Sequence, residues 1–179
     1  MLIKENTGLI VVDIQGKLAR LAHESDALIT NCEKLIKGAK ALDLPIIWLE
    51  QNADKIGSTV DELSLLLSAQ KPIPKFTFDA CEQPLFMQAV KNTNVENWLV
   101  CGIEAHICVY QTALNLKRKG FGVQLVCDCV SSRTLDNKNL GVSKLISNGI
   151  EITGLEMCLF ELVKDCRAPV FKEILGLIK

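Results

Sequence analysis

Short apolar runs on successive residues are the feature that most constrains how this chain can fold. Four such runs cover residues 8–13, 45–50, 98–102 and 123–128, and each is rich in Val, Ile or Leu. A strand with one solvated face alternates apolar and polar residues, so a run without alternation indicates a strand covered on both faces. These four segments are therefore predicted to be inner strands of a sheet that lies between two layers.

Segments with helical periodicity separate these runs. Between the first two, for example, Leu28, Leu35 and Ala39 fall on one stripe of a predicted helix. This alternation is typical of βαβ units, so we predict an α/β protein with a parallel sheet and right-handed crossovers. Neither a repeat nor a linker interrupts it, and residues 1–179 are predicted to form a single domain. The predicted helices cover residues 26–42, 60–67, 83–91, 105–119, 136–148, 156–163 and 169–177.

Charge and cysteine content limit the classes of partner and compartment. The formal net charge is −1, which offers no basic field for phosphates or anionic lipid, so we expect neither nucleic-acid nor membrane binding. No apolar run is long enough to span a bilayer. The chain has eight cysteines but opens without an apolar signal segment. We therefore expect a cytoplasmic protein with free thiols, most of them buried as small apolar side chains.

Chemistry in an open parallel sheet collects where the strands end at their carboxyl edge. Asp13 ends the first apolar run, where a carboxylate is costly unless it is paired or reaches a cleft; capping of the following loop is the alternative. Lys75 follows two prolines and precedes aromatic residues, which makes it a candidate for a lysine held in a cleft. Taken alone, this signal favours the alternative, an exposed and solvated lysine.

Cys108 lies six residues after Gly102, the glycine that ends the third apolar run. The next helix is predicted to begin near Ala105, which puts Cys108 in its first turn. Unpaired amides and the positive end of the helix dipole favour a thiolate there, as a nucleophile requires. Simple packing of an apolar cysteine is the alternative. His106 is only two residues away and falls on a different helical face, so a Cys–His pair is not expected.

Taken together, these segments resemble the cysteine hydrolase superfamily that includes isochorismatase-like hydrolases and nicotinamidases. The resemblance is closest to the compact isochorismatase-domain hydrolases, including the branch similar to YcaC, and it extends over most of the chain. It implies a three-layer α/β/α fold whose six-stranded parallel sheet has the order 3-2-1-4-5-6. The matching segments are VVDIQ at 11–15, KFTF at 75–78, GIEAHICV at 102–109 and DCVSSR at 128–133.

The resemblance also implies roles for individual residues. Cys108 would be the nucleophile, Asp13 the base that takes its proton, and Lys75 the cation that stabilises the thiolate and orients the aspartate. A non-proline cis peptide would fall between Ile103 and Glu104, with the amides of Glu104 and Cys108 forming an oxyanion hole. The substrate pocket would be shaped by four further residues and by a partner subunit. These four are Gln15, Glu50, Phe76 and Phe78.

One departure from the superfamily concerns metal binding. Nicotinamidases carry an Asp-x-His metal motif after the second strand, whereas this chain reads Glu50-Gln51-Asn52. The only histidines, His23 and His106, are too few and too separated for that site, so we expect neither a metal nor another cofactor. Isochorismate is a vinyl ether whose hydrolysis requires an acid, and the presence of a candidate nucleophile instead favours acyl chemistry on an amide-like C–N bond.

We therefore expect a metal-independent cysteine hydrolase that acts on a small molecule through a thioester. The alternative is a non-catalytic binding or scaffold protein on the same fold, in which Cys108 serves as a thiol redox sensor. A homo-oligomer is also expected from the resemblance, and the apolar segment from Phe171 to Ile178 is a candidate for its contacts.

Overall fold

The four apolar runs form the inner strands of a six-stranded parallel sheet in the computed structural model, which describes residues 1–179. The order is β3-β2-β1-β4-β5-β6, so both the fold class and the strand order implied by the resemblance are confirmed. β1 pairs with β2 on one side and with β4 on the other, which makes this the point where the strand order reverses. The strands are β1 (Thr7–Val12), β2 (Ile46–Gln51), β3 (Ile73–Lys75), β4 (Asn97–Gly102), β5 (Gly122–Val130) and β6 (Glu151–Thr153).

Helices cover both faces of the sheet, which explains why the inner strands are apolar at every position. Leu9 and Val11 pack into one apolar core, while Ile10 and Val12 pack into the other. Helices α1, α2, α4, α8 and α9 contribute to the first core, and α5, α6 and α7 contribute to the second. The helices are α1 (Gly16–Leu21), α2 (Ser25–Ala41), α3 (Ala53–Ile56), α4 (Asp61–Ser64), α5 (Pro84–Asn92), α6 (Cys108–Arg118), α7 (Leu135–Ser147), α8 (Leu155–Val163) and α9 (Phe171–Ile178).

The edge strand β3 and two short helices escaped prediction. β3 has only three residues and includes Pro74, and proline is tolerated in a sheet chiefly at an edge, where its missing N–H leaves no gap in the ladder. Helices α1 and α3 have six and four residues, too few for a helical period to show in the sequence.

Two predicted helical segments require correction. The helix predicted over 105–119 begins at Cys108, because Ala105–Ile107 form a turn and Ile107 has φ −122° and ψ −92°. The helix predicted over 60–67 is limited to Asp61–Ser64. The segment from Phe171 to Ile178 packs on the chain's own core through the fully buried Ile174, while its other apolar residues stay partly buried, so its role in oligomer contacts stays a prediction.

None of these helices has the length and the apolar character that crossing a bilayer requires.

Candidate active site

Asp13 is placed at the centre of the carboxyl edge by β1, the strand at which the order reverses. It follows the last residue of β1, has a φ of 50° and is only 3% exposed. Its amide donates to the carbonyl oxygen of Leu49 on β2 at 3.4 Å, which continues the sheet ladder. The carboxyl group is therefore held in the protein interior at the switch point.

Lys75, the last residue of β3, is completely buried and reaches the same place. Its Nζ donates to Asp13 Oδ2 at 2.7 Å, to Gln51 Oε1 at 2.6 Å and to the carbonyl oxygen of Thr77 at 3.2 Å. These three acceptors satisfy all three protons of the ammonium group. Because an unpaired buried lysine would be very costly, the pairing with Asp13 fixes both groups in the interior.

Cys108 reaches this cluster through the turn that follows β4. Gly102 has φ 124°, and a Cβ there would overlap the backbone of Val12, so only glycine allows β4 to lie this close to β1. The Ile103 amide donates to the Val12 carbonyl oxygen at 3.0 Å, and the Ile103–Glu104 peptide bond is cis, at the position implied by the resemblance. Cys108 is the first residue of α6 and is 7% exposed.

The ionisation of the two acidic groups is dominated by burial. Burial, as the largest cause, and the negative charge of Asp13 together raise the pKa of the Cys108 thiol to about 12, although Lys75 opposes this rise. Burial also raises the pKa of Asp13 above its usual range, although Lys75 and the nearby Cys108 thiol act in the opposite direction. The sequence-based expectation that the helix start favours a thiolate is wrong for the resting protein, because burial outweighs it.

Hydrogen-bonding capacity remains free around Cys108. Asp13 Oδ1 is buried and has no donor in favourable geometry, although the thiol is close enough to perturb its pKa. The backbone amides of Glu104 and Cys108 donate to no group within the chain. Buried polar groups in proteins are almost always paired, so free groups in one place indicate a site that awaits a ligand.

A cavity of about 80 Å³ opens beside these groups, with polar atoms at one end and apolar walls elsewhere. Of the predicted pocket residues, Gln15 and Phe78 line it, together with Ile103 and Glu104. The complete lining is Asp13, Gln15, Leu18, Gln51, Ile56, Phe78, Ile103, Glu104, Ile107 and Cys108.

Two of the predicted pocket residues do not line the cavity. The Glu50 carboxylate instead accepts from the amide and hydroxyl of Thr59 at 2.7 and 2.8 Å, so it anchors the segment between α3 and α4. The side chain of Phe76 is 76% exposed. β3 ends at Lys75, and Phe76 begins the bend that follows it.

Gln51 is the residue that sequence reasoning missed. It lines the cavity, accepts from Lys75, and donates through Nε2 to the Phe76 carbonyl oxygen at 2.7 Å. Gln15 holds it in place by accepting from its amide at 2.7 Å and donating to its carbonyl oxygen at 3.1 Å. A signal was present, since Gln51 directly follows the second apolar run, but the charge of the neighbouring Glu50 made Glu50 the predicted residue.

Glu104 forms a second ion pair at the cavity. Its Oε1 accepts from the backbone amide and the Nε of Arg133 at 3.2 and 3.1 Å. The other oxygen, Oε2, has no hydrogen-bond partner in the chain and is not fully buried. The Arg133 side chain is 56% exposed.

No three side chains of the types that usually bind metal ions converge anywhere in the chain. His106 Nδ1 lies 2.9 Å from Ser132 Oγ, so its ring is engaged with that serine. The arrangement around Cys108 can therefore offer a thiol, a carboxyl base, a buried cation and free amides.

The fold and the position of this cluster define a class: a doubly wound α/β protein with its candidate site at the topological switch point. The isochorismatase domain model matches residues 7–157, and the chain belongs to the isochorismatase family. Members of this family are hydrolases.

Similar proteins cover nearly the whole chain. A secreted isochorismatase effector, Isc1, from Phytophthora sojae is 33% identical over 99% of this chain and 87% of its own length. Isochorismatase domain-containing protein 1 from Danio rerio is 36% identical over 82% of this chain, and this match spans only 52% of the zebrafish protein.

Solved structures agree with the fold. The MAR1 ribonuclease from Caenorhabditis elegans is 34% identical, with a TM-score of 0.93 over 99% of this chain and 91% of that one. YcaC from Escherichia coli, described as an octameric hydrolase of unknown specificity, is 23% identical with a TM-score of 0.93 over 98% of this chain and 89% of that one. YcaC from Pseudomonas aeruginosa, solved with covalent acrylamide, is 24% identical with a TM-score of 0.91 over 98% and 90%.

Proposed function

We propose that this protein is a metal-independent cysteine hydrolase that cleaves a small amide-like C–N bond through a thioester. The observation that carries the proposal is the convergence of Cys108, Asp13 and Lys75 beside a cavity in which two backbone amides are free. Three strands far apart in sequence bring these groups together, and packing alone would not require a buried charge there.

The first half of the reaction uses the protonated resting thiol. With a pKa of about 12 for Cys108, roughly one thiol in 10⁴ is ionised at pH 8, so proton transfer to Asp13 must accompany attack. The sulfur forms a bond to the substrate carbonyl carbon while the carbonyl π electrons move to oxygen. In the proposal, the amides of Glu104 and Cys108 stabilise the resulting oxyanion. Asp13 then gives the proton to the leaving nitrogen as the C–N bond breaks.

The second half hydrolyses the thioester. Asp13, again ionised, removes a proton from water, and the hydroxide oxygen bonds to the acyl carbon. When the tetrahedral intermediate collapses, the C–S bond breaks and the thiolate takes back the proton from Asp13. The products are a carboxylic acid and ammonia or an amine, and the enzyme returns to its starting state.

Lys75 supports both steps without touching the substrate in this scheme. Its charge lowers the pKa of Asp13 and also that of Cys108, so it favours the ionised form of whichever group has lost the proton. Its position is fixed by Gln51 and the Thr77 carbonyl oxygen, which makes Lys75 a positioning residue in the proposal.

The covalent acrylamide of the P. aeruginosa YcaC structure supports a small amide-bearing ligand for this fold. The name of the C. elegans neighbour raises ribonuclease activity as a competing function. Two features here disfavour it: the cavity is far smaller than a nucleotide pocket, and a carboxylate rather than a free cation faces it. The redox-sensor alternative is disfavoured because a thiol with a pKa of about 12 is a poor target for oxidants.

The test is a turnover screen of small carboxamides, carbamoyl compounds and vinyl ethers, with release of ammonia or amine as the readout and an RNA oligonucleotide in parallel. We expect turnover by the wild type and a loss of about 10²–10⁴-fold in D13N. C108A should be inactive, while C166A, which changes an exposed thiol, should behave as the wild type. Mass spectrometry of the protein under turnover should detect the acyl group on the peptide that contains Cys108.

Full activity of C108A on any substrate found would sink the proposed mechanism. RNA cleavage that survives C108A, with no amide turned over, would favour the ribonuclease reading. A peroxide-sensitive Cys108 without any turnover would favour the sensor.

We propose a homo-oligomer, supported by the octameric state stated for the E. coli YcaC neighbour. Light scattering coupled to size exclusion tests it, and a monomer at micromolar concentration would refute it.

We also propose a reducing, cytoplasmic location, supported by eight cysteines that are all free. The P. sojae relative is named as secreted, so fractionation of cells that express the protein decides between the two.

A further inference from the structure

We infer that Glu104 makes the cavity select substrates that carry no negative charge next to the reacting carbonyl. This inference rests on the proposed function and narrows its substrate class to neutral or cationic amides. It depends on which polar atoms around the cavity are still free to bind a ligand.

Most polar groups at the cavity are already committed. Gln15 uses both protons of its Nε2, on the carbonyl oxygens of Gln51 and Gly57, and its Oε1 accepts from the Gln51 amide. Gln51 uses its Oε1 on Lys75 and its Nε2 on Phe76. Gln15 therefore has no free side-chain donor in this arrangement, and Gln51 keeps a single N–H of its Nε2.

The atoms that remain free fall into two kinds. The free acceptors are Asp13 Oδ1 and Glu104 Oε2, both on residues that line the cavity. The free donors are the backbone amides of Glu104 and Cys108 and one N–H of Gln51 Nε2. A carbonyl oxygen fits the donors and N–H groups fit the acceptors, so a primary amide or a urea-like group satisfies both.

The two cations of the site lie outside the cavity lining, so they offset these carboxylates only in part. Lys75 is fully buried, does not line the cavity, and has all three protons engaged. Arg133 does not line the cavity either, and its Nε is tied to Glu104. A ligand carboxylate would therefore meet two like charges in a partly desolvated space, where repulsion is strong.

Glu104 is the residue to test, because Asp13 is needed for proton transfer. E104Q removes the charge but keeps an oxygen for the Arg133 amide and Nε, so the turn should retain its geometry. R133Q has the opposite effect, since it removes the cation that offsets Glu104. E173Q, which changes an exposed glutamate on α9, is the matched control.

The first experiment compares alkylation of Cys108 by iodoacetamide and by iodoacetate, probes of similar size that differ in charge. In both reactions the sulfur displaces iodide from the CH₂ carbon, so only access and electrostatics distinguish them at the site. The rate ratio at Cys108 is divided by that at the exposed Cys166 of the same chain, which cancels intrinsic reactivity. Peptide mass spectrometry gives both rates.

For the wild type we expect Cys108 to prefer iodoacetamide over iodoacetate by roughly 10- to 100-fold beyond the preference of Cys166. E104Q should lower this preference about tenfold, R133Q should raise it, and E173Q should leave it unchanged. A wild-type preference equal to that of Cys166, or one that E104Q does not alter, would overturn the inference. A Cys108 that neither probe labels would overturn it as well, because the cavity would then admit no ligand.

The second experiment compares turnover of butyramide and succinamate, which have similar length and differ by a carboxylate. Faster turnover of butyramide, with the gap reduced in E104Q, is the expected result. Charge-selective alkylation without turnover of any amide would refute the proposed function but leave charge selection standing. Equal turnover of both amides together with unselective alkylation would refute charge selection and leave the hydrolase.

Discussion

The carboxylate of Asp13 acts on Cys108 in two opposite ways. Its negative charge raises the pKa of the thiol and so opposes ionisation. In the proposed mechanism the same group accepts the thiol proton and is required for turnover. Replacing Asp13 with Asn separates the two effects, because Asn keeps an oxygen that can accept from Lys75 but has neither the charge nor the basicity.

The size of the electrostatic effect follows from the ionisation of Cys108. Its pKa is raised from 9.0 to about 12, with burial as the largest cause, Asp13 as the next and Lys75 in opposition. The difference of about three pH units corresponds to roughly 4 kcal/mol. Removing the charge of Asp13 in D13N lowers the pKa of Cys108, and a fall of about one unit raises the thiolate fraction about tenfold.

The assay measures alkylation and hydrolysis on the same D13N preparation. Iodoacetamide labelling of Cys108 at pH 8, relative to the exposed Cys166, should be about tenfold faster than in the wild type. Amide hydrolysis should instead fall by about 10²–10⁴-fold, because the base is lost. D26N, which changes an exposed carboxylate on α2, should leave both rates unchanged. Far-UV circular dichroism shows whether each variant is folded.

A folded D13N variant in which alkylation slows in step with hydrolysis would refute the reasoning. It would mean that Asp13 ionises the thiol already in the resting protein, so that its charge stabilises the thiolate form overall. The raised pKa of Cys108 would then not describe the free site.

Three further outcomes follow from the same geometry. K75M should lower the free energy of unfolding by about 3–5 kcal/mol in urea titrations, because it leaves a buried carboxylate unpaired, whereas K71M at an exposed position should not. G102A should lower the free energy of unfolding by roughly 2–4 kcal/mol, because its Cβ would overlap the Val12 backbone at a φ of 124°. G176A, with open space around its Cβ, is the control, and an equal melting temperature for the two variants would contradict this prediction. Hydrolysis needs the ionised form of Asp13, so its rate should be lost as pH falls through the pKa of this carboxyl group. Since burial raises this pKa, the acid limb of the kcat/KM profile should lie above 3.8, and a limb below that value would argue against this base.

The sequence predicted the sheet well because burial on both faces leaves a local signature. Val11 and Val12 face opposite cores, and a chain that is apolar at both positions has few alternatives to an inner strand. Asp13 was recognised as a candidate for the same reason, since a carboxylate that directly follows such a strand lies at the sheet edge. These inferences need only neighbouring residues.

The details of the pocket were harder to predict, because the sequence of a strand that is buried on both faces does not show which residues point to which face. With both faces covered, nothing local shows whether Glu50 or Gln51 points towards the cavity, and the charged residue was chosen wrongly. Phe76 and Phe78 lie in the bend that follows β3, where strand alternation does not apply, and only Phe78 lines the cavity. The face to which each residue points is set by neighbouring strands and loops, and these lie far away in the sequence.

The ionisation of Cys108 shows a similar limit. Its position at the start of α6 is local and favours a thiolate, whereas its burial and the nearness of Asp13 come from residues almost a hundred positions away. The distant contributions are larger, so the local rule gave the wrong direction. A helix-end argument is thus informative mainly where the group stays exposed to solvent.

The two ion pairs at the cavity differ in a way that separates catalysis from selection. Asp13 and Lys75 are almost completely buried, so any change to either disturbs folding and proton transfer together. Arg133, by contrast, is more than half exposed and holds one oxygen of Glu104, which leaves the other free at the cavity. Substitutions at Glu104 or Arg133 can therefore change the charge that the cavity admits at little cost in stability. On the proposed function, a chain with this fold could shift between neutral and anionic amides through the outer pair alone while the inner pair stays fixed.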